Sequence, residues 1–302
     1  MNNPIMAIQG GLGNQLSQWY FAHTISTDSH FRIDPLHKMT TLGLRNFELQ
    51  PLIDKCSHLE YRRNQSFLSP FTKNYYKILD ALWEFKSLRR CVEVLGYFRE
   101  DPRLDQNQSK RNLKNIKYAK GYFQKQAEIE KIFSSVEKEL LPVLQGTLAS
   151  LKERMQLRSN YTVLHVRRGD YEAAKFTPII IGTLSDEYFL RGLEGMDTSN
   201  LILLTENRED VTELVKSLNP RMVLDKFDTT PWETLAIMYG ASQFLGANSS
   251  LSWWGARLCF AKGGKVWLPS QWSYWKNIDP SDYHFVGSNI ANVYWVQTNH
   301  QS

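Results

Sequence analysis

Tyr161-Thr162-Val163-Leu164-His165-Val166-Arg167-Arg168-Gly169-Asp170-Tyr171 starts as an apolar run and ends on two arginines and a Gly-Asp pair. The run 161–166 predicts a buried strand, and Gly-Asp predicts the turn that ends it. Both arginines then stand at the strand's carboxyl end. In an open α/β sheet, ligands gather in the crevice beyond those ends. A guanidinium keeps its charge and offers paired donors to phosphate oxygens. Spacing alone leaves two readings open: a pyrophosphate clamp, or solvated arginines that pair with Asp170.

Downstream, strands and helices alternate. Helices are predicted at about 185–193, 209–217, 231–241 and 251–261, and strands at 201–205, 222–224, 243–247 and 265–268, which implies a parallel sheet with right-handed crossovers. Upstream, Ile5 to Ile8 reads as a strand, Gly10-Gly11-Leu12-Gly13-Asn14-Gln15 as a turn, and Leu16 to Ile25 as a helix. Glycines there let the backbone approach a ligand, with N–H groups at the helix start facing an anion. Between Phe31 and Ala119 the pattern loosens, and it supports no firm element. Order returns at Gly121-Tyr122-Phe123-Gln124, followed by a predicted helix from Ala127 to Leu141 that stops before Pro142 and an amphipathic stretch from Leu144 to Leu157. The chain therefore divides into an α/β domain over 1–155 and a second over 156–302.

At 302 residues, with 42% hydrophobic and 22% charged, the chain has the length and composition of a globular protein with ample core. A net charge of +5, with the basic residues dispersed, is too mild for a nucleic-acid footprint but suits a phosphate-bearing ligand. Cys56, Cys91 and Cys259 are isolated, which points to a reducing compartment and away from zinc or redox work. No signal peptide or membrane span is legible, so a soluble, cytoplasmic protein is expected. Asp225-x-x-Asp228 and Asp279-x-x-Asp282 have the wrong spacing to hold a cation beside a diphosphate, so no metal site is expected.

Two further constellations carry chemistry. Gly11-x-Gly13 with Asp34 about twenty residues on resembles a dinucleotide fingerprint, which would make the chain an NAD(P)-dependent oxidoreductase. Leu16 at the third glycine position and the amides of Asn14 and Gln15 speak against it. In Phe244-Leu245-Gly246-Ala247-Asn248-Ser249-Ser250-Leu251-Ser252-Trp253-Trp254-Gly255 a strand ends and a helix starts. The small polar residues either cap that helix or hold a phosphate at its amino terminus, and Trp253-Trp254 would be core.

Five motifs in order resemble those of the bacterial α-1,2-fucosyltransferases, glycosyltransferase family 11. They are Gly10-Gly11-Leu12-Gly13-Asn14-Gln15-Leu16, Gly121-Tyr122-Phe123-Gln124, His165-Val166-Arg167-Arg168-Gly169-Asp170-Tyr171, Gly182-Thr183-Leu184-Ser185-x-x-Tyr188, and Asn248-Ser249-Ser250-Leu251-Ser252-Trp253-Trp254. The resemblance implies a GT-B fold: two Rossmann-like domains facing a cleft, with the acceptor on the amino-terminal one and GDP-fucose on the carboxyl-terminal one. The last residues would pack back on the amino-terminal domain.

By the same resemblance Arg167 would bind the donor β-phosphate, and Arg168 would pair with the diphosphate or with neighbouring carboxylates. His165 would lie near the guanine or the fucosyl group. Ser249, Ser250 and Leu251 would contact the phosphates through hydroxyl and backbone groups, Asn14 would approach the donor from the other domain, and Gly11, Gly13 and Asn248 would also bind substrate. Where the family commonly has Ser-Asp-Asp, this chain has Thr205-Glu206-Asn207, so guanine recognition would fall to Glu206, one carbon longer.

The implied reaction is an inverting, metal-independent transfer of L-fucose from GDP-β-L-fucose to the 2-hydroxyl of a galactoside, in O-antigen or oligosaccharide synthesis. It needs no cofactor besides the donor substrate. His165, Asp170, His23 and Asp34 are candidate general bases. A lipid-linked glycan acceptor would bring peripheral contact with the inner membrane. A nonenzymatic sugar-nucleotide or glycan-binding module is the alternative from another class.

Overall fold

A computed structural model describes residues 3–26, 31–35, 46–55, 70–100, 115–168, 182–272, 284–285 and 287–291. The chain forms two compact units, one of residues 1–124 and 131–139, the other of 125–130 and 140–302.

The first unit is built on a parallel sheet of order β2-β1-β4-β3, with β1 at Ile5–Ile8, β2 at Arg32–Pro35, β3 at Tyr97–Arg99 and β4 at Tyr118–Lys120. Helix α1, Leu12–Ile25, leaves the glycine turn after β1 and begins four residues before the predicted start. The region 31–119, which the sequence left unassigned, holds α2 (Gln50–Ile53), α3 (Pro70–Trp83) and α4 (Arg89–Val94) besides β2, β3 and the start of β4. On α3, Leu79 and Trp83 sit one turn apart and pack with Ile5, Ala7, Val92, Tyr97 and Tyr118.

Helix α5 is short, Gln126–Glu130, and α6 runs from Phe133 to Met155 straight through Pro142. The predicted stop before Pro142 is therefore wrong. Proline removes the N–H that would bond the Lys138 carbonyl, but Lys138 and Pro142 are both exposed, so water can take that carbonyl. Phe133, Val136, Leu140, Val143, Leu144, Leu148 and Leu151 meanwhile keep one apolar stripe buried across the proline.

The second unit follows the predicted alternation closely. Its parallel sheet has the order β7-β6-β5-β8-β9-β10, with β5 at Thr162–His165, β6 at Leu201–Leu204, β7 at Met222–Leu224, β8 at Gln243–Leu245, β9 at Lys265–Pro269 and β10 at Asn289–Ala291. The connecting helices are α7 (Asp186–Gly192), α8 (Thr212–Leu218) after a 3-10 turn at Arg208–Val211, α9 (Pro231–Gly240) and α10 (Ser250–Ala261). Helix α9 starts where Thr230 and Glu233 form a reciprocal capping box with Pro231 in the first turn.

Strand β5 is covered on both faces, which is why it reads as a continuous apolar run rather than an alternation. This order is that of a Rossmann sheet, 3-2-1-4-5-6, with its topological switch point between β5 and β8. The α/β reading with Rossmann-like units, as in a GT-B enzyme, holds. The expected packing of the last residues falls on 292–302, outside the described residues.

Candidate active site

The switch point brings together the residues after β5, β6 and β8, because these three strands are neighbours in parallel register. The Val166 N–H extends the β5–β6 ladder by donating to the Leu204 carbonyl at 2.8 Å. Arg167 therefore emerges at the carboxyl edge beside the residue pair that follows β6. Its Nη1 lies 2.8 Å from Oε2 of Glu206, and the two side chains are 20% and 14% exposed. Glu206, assigned by resemblance to guanine, is here the counter-ion that orients Arg167.

Arg168 points elsewhere. Its guanidinium donates to Asp186 Oδ1 at 2.5 Å, to the Asp210 carbonyl at 2.7 Å and to the Leu184 carbonyl at 3.4 Å, with its carbon 5.8 Å from the Phe189 ring centre. Of its two roles, pairing with a neighbouring carboxylate is the one the geometry provides. It clamps the starts of α7 and of the 208–211 turn to the end of β5.

The segment after β8 is held from several sides. The Tyr188 hydroxyl donates to the Gly246 carbonyl at 2.7 Å, and the Ala247 N–H donates to Ser252 Oγ at 3.1 Å. Asn248, 1% exposed, donates through Nδ2 to the carbonyls of Gly182 and Trp272 at 3.1 and 3.4 Å. It ties three chain segments together. Ser249 is the N-cap of α10, yet its side chain makes no capping hydrogen bond. Ser250 and Leu251 stand in the first turn, where backbone N–H groups have no intrahelical partner. Trp253 and Trp254 are core, as expected. Gly255 is required by packing, since a Cβ there would lie 2.9 Å from that of Met238 on α9.

His165, the last residue of β5, is buried with Nδ1 at 2.5 Å from Ser252 Oγ. Burial, aided by the nearby charge of Arg167, pushes its pKa down to about 3, so the imidazole is neutral at physiological pH. Asp170 lies outside the described residues.

In the first unit the glycine turn again marks a switch point, between β1 and β4. Gly10 has a φ of 79°, and a Cβ there would meet Asn14 Nδ2 at 2.5 Å, so it is a glycine for the chain's own sake. Gly11, the N-cap of α1, has ordinary extended angles, and a Cβ on it would meet nothing within 4 Å. Gly13 is buried in the first turn of α1, its carbonyl accepting from the Ser17 hydroxyl at 3.2 Å. Asn14 Oδ1 accepts from Gln124 Nε2 at 2.5 Å.

Gln124 is delivered by a strained turn. Phe123 adopts a φ of 51°, a conformation costing roughly 1–2 kcal/mol for a residue with a Cβ. Glu100 Oε2 compensates by accepting both the Tyr122 and the Phe123 N–H at 2.6 and 2.8 Å, while Phe123 stacks on Phe21 at 3.8 Å.

Two of the candidate bases are committed to structure. Asp34 is buried and accepts from the Tyr118 hydroxyl at 3.0 Å. His23 Nε2 lies 3.2 Å from Glu139, which also accepts from Trp19. Sequence reasoning missed Glu100, Asp186 and the part played by Ser252; Asp186 stood at an unspecified position of the Gly182–Tyr188 motif and Ser252 inside the Asn248–Trp254 motif, while Glu100 lay in no quoted motif. Among the described residues no group of three or more His, Cys, Asp or Glu is placed to hold a metal ion, and no helix is long and apolar enough to cross a membrane. Asp225 and Asp228 both pair with Arg208.

Comparison with solved structures finds NodZ α-1,6-fucosyltransferase soaked with GDP-fucose at 13% identity, covering 85% of this chain and 92% of that one, with a TM-score of 0.48. POFUT1 in complex with GDP is 13% identical over 85% of this chain and 94% of that one, with a TM-score of 0.38. The glycosyl transferase family 9 protein from Veillonella parvula DSM 2008 is 9% identical over 97% and 87%, with a TM-score of 0.46. No curated protein matches the chain. Residues 6–273, which hold all five motifs, match the model of Glycosyl transferase family 11, and the chain belongs to that family of fucosyltransferases.

Proposed function

We propose that this enzyme transfers L-fucose from GDP-β-L-fucose to the 2-hydroxyl of a galactoside with inversion, in O-antigen or oligosaccharide synthesis. The observation that carries the reading is Arg167 at the switch point of a Rossmann sheet, oriented by Glu206 and neighbouring a helix start whose N-cap side chain is uncommitted. The carboxyl-terminal unit takes the GDP-sugar and the amino-terminal one the acceptor.

In this mechanism the acceptor oxygen bonds to the anomeric carbon as the bond to the β-phosphate oxygen breaks, and the acceptor proton passes to a base. Negative charge grows on the β-phosphate through an oxocarbenium-like transition state. The Arg167 guanidinium and the first-turn N–H groups of α10 are fixed before the reaction, so they favour that charge more than the ground state. Two fixed positive centres can do the work of a cation there, and the reaction is metal-independent. Activity lost in chelator and restored by Mg²⁺ or Mn²⁺ would refute that part. The enzyme works in the cytoplasm, at the inner-membrane surface where its acceptor is lipid-linked.

The deciding experiment offers several GDP-sugars with galactoside acceptors, measures GDP release and reads the product linkage by NMR. Fucose linked α-1,2 to galactose is expected. Another sugar, another linkage, or GDP binding without turnover each overturns the corresponding part of the proposal.

A further inference from the structure

The end of β5 and the first turn of α10 are joined by one buried side-chain link whose chemistry goes beyond phosphate binding. Ser252 Oγ, fully buried, lies between the Ala247 N–H at 3.1 Å and His165 Nδ1 at 2.5 Å. A hydroxyl has one proton to give. Since Ala247 already donates to this oxygen, and Ser252 makes no other side-chain hydrogen bond among the described residues, the acceptor in reach of its proton is Nδ1. The opposite assignment would aim two N–H groups at one oxygen and leave a buried hydroxyl proton without an acceptor, at a cost of roughly 1–3 kcal/mol.

We propose that Ser252 is a positioning residue that locks His165 as the Nε2–H tautomer, so that the imidazole serves the nucleotide diphosphate as a neutral hydrogen-bond donor and not as the general base. The inference rests on the donor site proposed above. An imidazole whose Nδ1 accepts from Ser252 carries its one proton on Nε2, on the far side of the ring. That nitrogen has no lone pair to take the acceptor's proton. Burial and Arg167 keep the ring from gaining a second proton, so the donor carries no net charge. Arg167 remains the charged group, and His165 adds direction. The helix that offers its amino terminus to the anion thereby also sets the imidazole, because Ser252 belongs to its first turn.

The test is the ¹⁵N NMR spectrum of histidine-labelled full-length protein, with His165→Gln to assign the signals. A pyrrole-type Nε2 and a pyridine-type Nδ1 at neutral pH are expected. A protonated Nδ1, or an imidazolium, overturns the proposal. Ser252→Ala should mix the tautomers and lower kcat roughly ten- to a hundredfold, the scale found where outer partners that fix an imidazole are removed, with a smaller change in the KM for donor. Ser252→Thr, which keeps the hydroxyl, should restore the wild-type tautomer and most of kcat. A Ser252→Ala enzyme with the tautomer changed and kcat unchanged also overturns it. Calorimetric titration of the wild type with GDP is run in parallel: absence of GDP binding sinks the donor-site reading, whatever the tautomer.

Discussion

Replacing Arg167 by alanine separates what the arginine does for the fold from what it does for the reaction. The Arg167–Glu206 pair is short, 2.8 Å, and partly buried. Removing one partner of such a pair costs about 3–5 kcal/mol when burial is complete. With the partial exposure seen here the loss should be roughly 1–3 kcal/mol, a fall in Tm of several degrees. Loss of one preorganised contact to a developing oxyanion costs on the order of a hundred- to a thousandfold in kcat. Arg167→Ala should thus stay folded by circular dichroism, melt a few degrees lower, and release GDP from GDP-fucose in the presence of acceptor at least about a hundredfold more slowly. Arg167→Lys keeps the charge but loses the fork, and it should recover only part of the rate. Glu206→Gln keeps the guanidinium but removes the charge that aims it, so kcat should fall less than for Arg167→Ala. A folded Arg167→Ala enzyme with near-normal turnover would refute the clamp.

The two turn glycines should fail in different ways. Gly10→Ala forces a side chain into a φ of 79° against Asn14 and should cost at least about 1–2 kcal/mol of stability. Gly11→Ala meets no atom of the chain, so it should melt near wild type while losing activity if a ligand approaches that backbone; full activity would remove Gly11 from the site. Arg168→Ala should lower Tm more than Arg167→Ala, because it strips three hydrogen bonds and a ring contact from the wall of the site. An unchanged Tm would contradict that structural role.

Asp80 is half-buried, which opposes its ionisation, but hydrogen bonds from Lys120 and Tyr97 and the charge of Arg99 outweigh this and hold its carboxyl below the usual range. Its contribution is present above the unfolded value of about 4 and fades as pH falls through the native value. Urea titrations from pH 6 downward, at roughly half-unit steps, should therefore show Asp80→Asn with a flatter acid limb than wild type. Cys259 is buried, and its thiol is pushed up to about 12. It should resist alkylation in the native protein while exposed Cys91 reacts, and labelling of Cys259 before unfolding would contradict its burial.

The sequence by itself determined the parallel alternation of the second unit, because strands covered on both faces must be apolar throughout and stand out from amphipathic helices. It also supplied the candidates for the proposed site, since Arg167, Ser249 and the glycine turn belong to motifs within the stretch that matches the family. Local pattern could not place Pro142 inside a helix, because the stripe that carries α6 past it is stabilised by burial against other segments. Nor could it assign α3 and α4, whose apolar residues meet β1, β3 and β4 from distant parts of the chain. Above all, it could not divide the arginine pair. Adjacent residues at a strand's end point to opposite sides, and only the tertiary structure shows Glu206 beside one guanidinium and Asp186, Asp210 and Leu184 around the other. The residue types set which charges are available; the parallel register of β5 with β6 and β8 decides which charge each one meets.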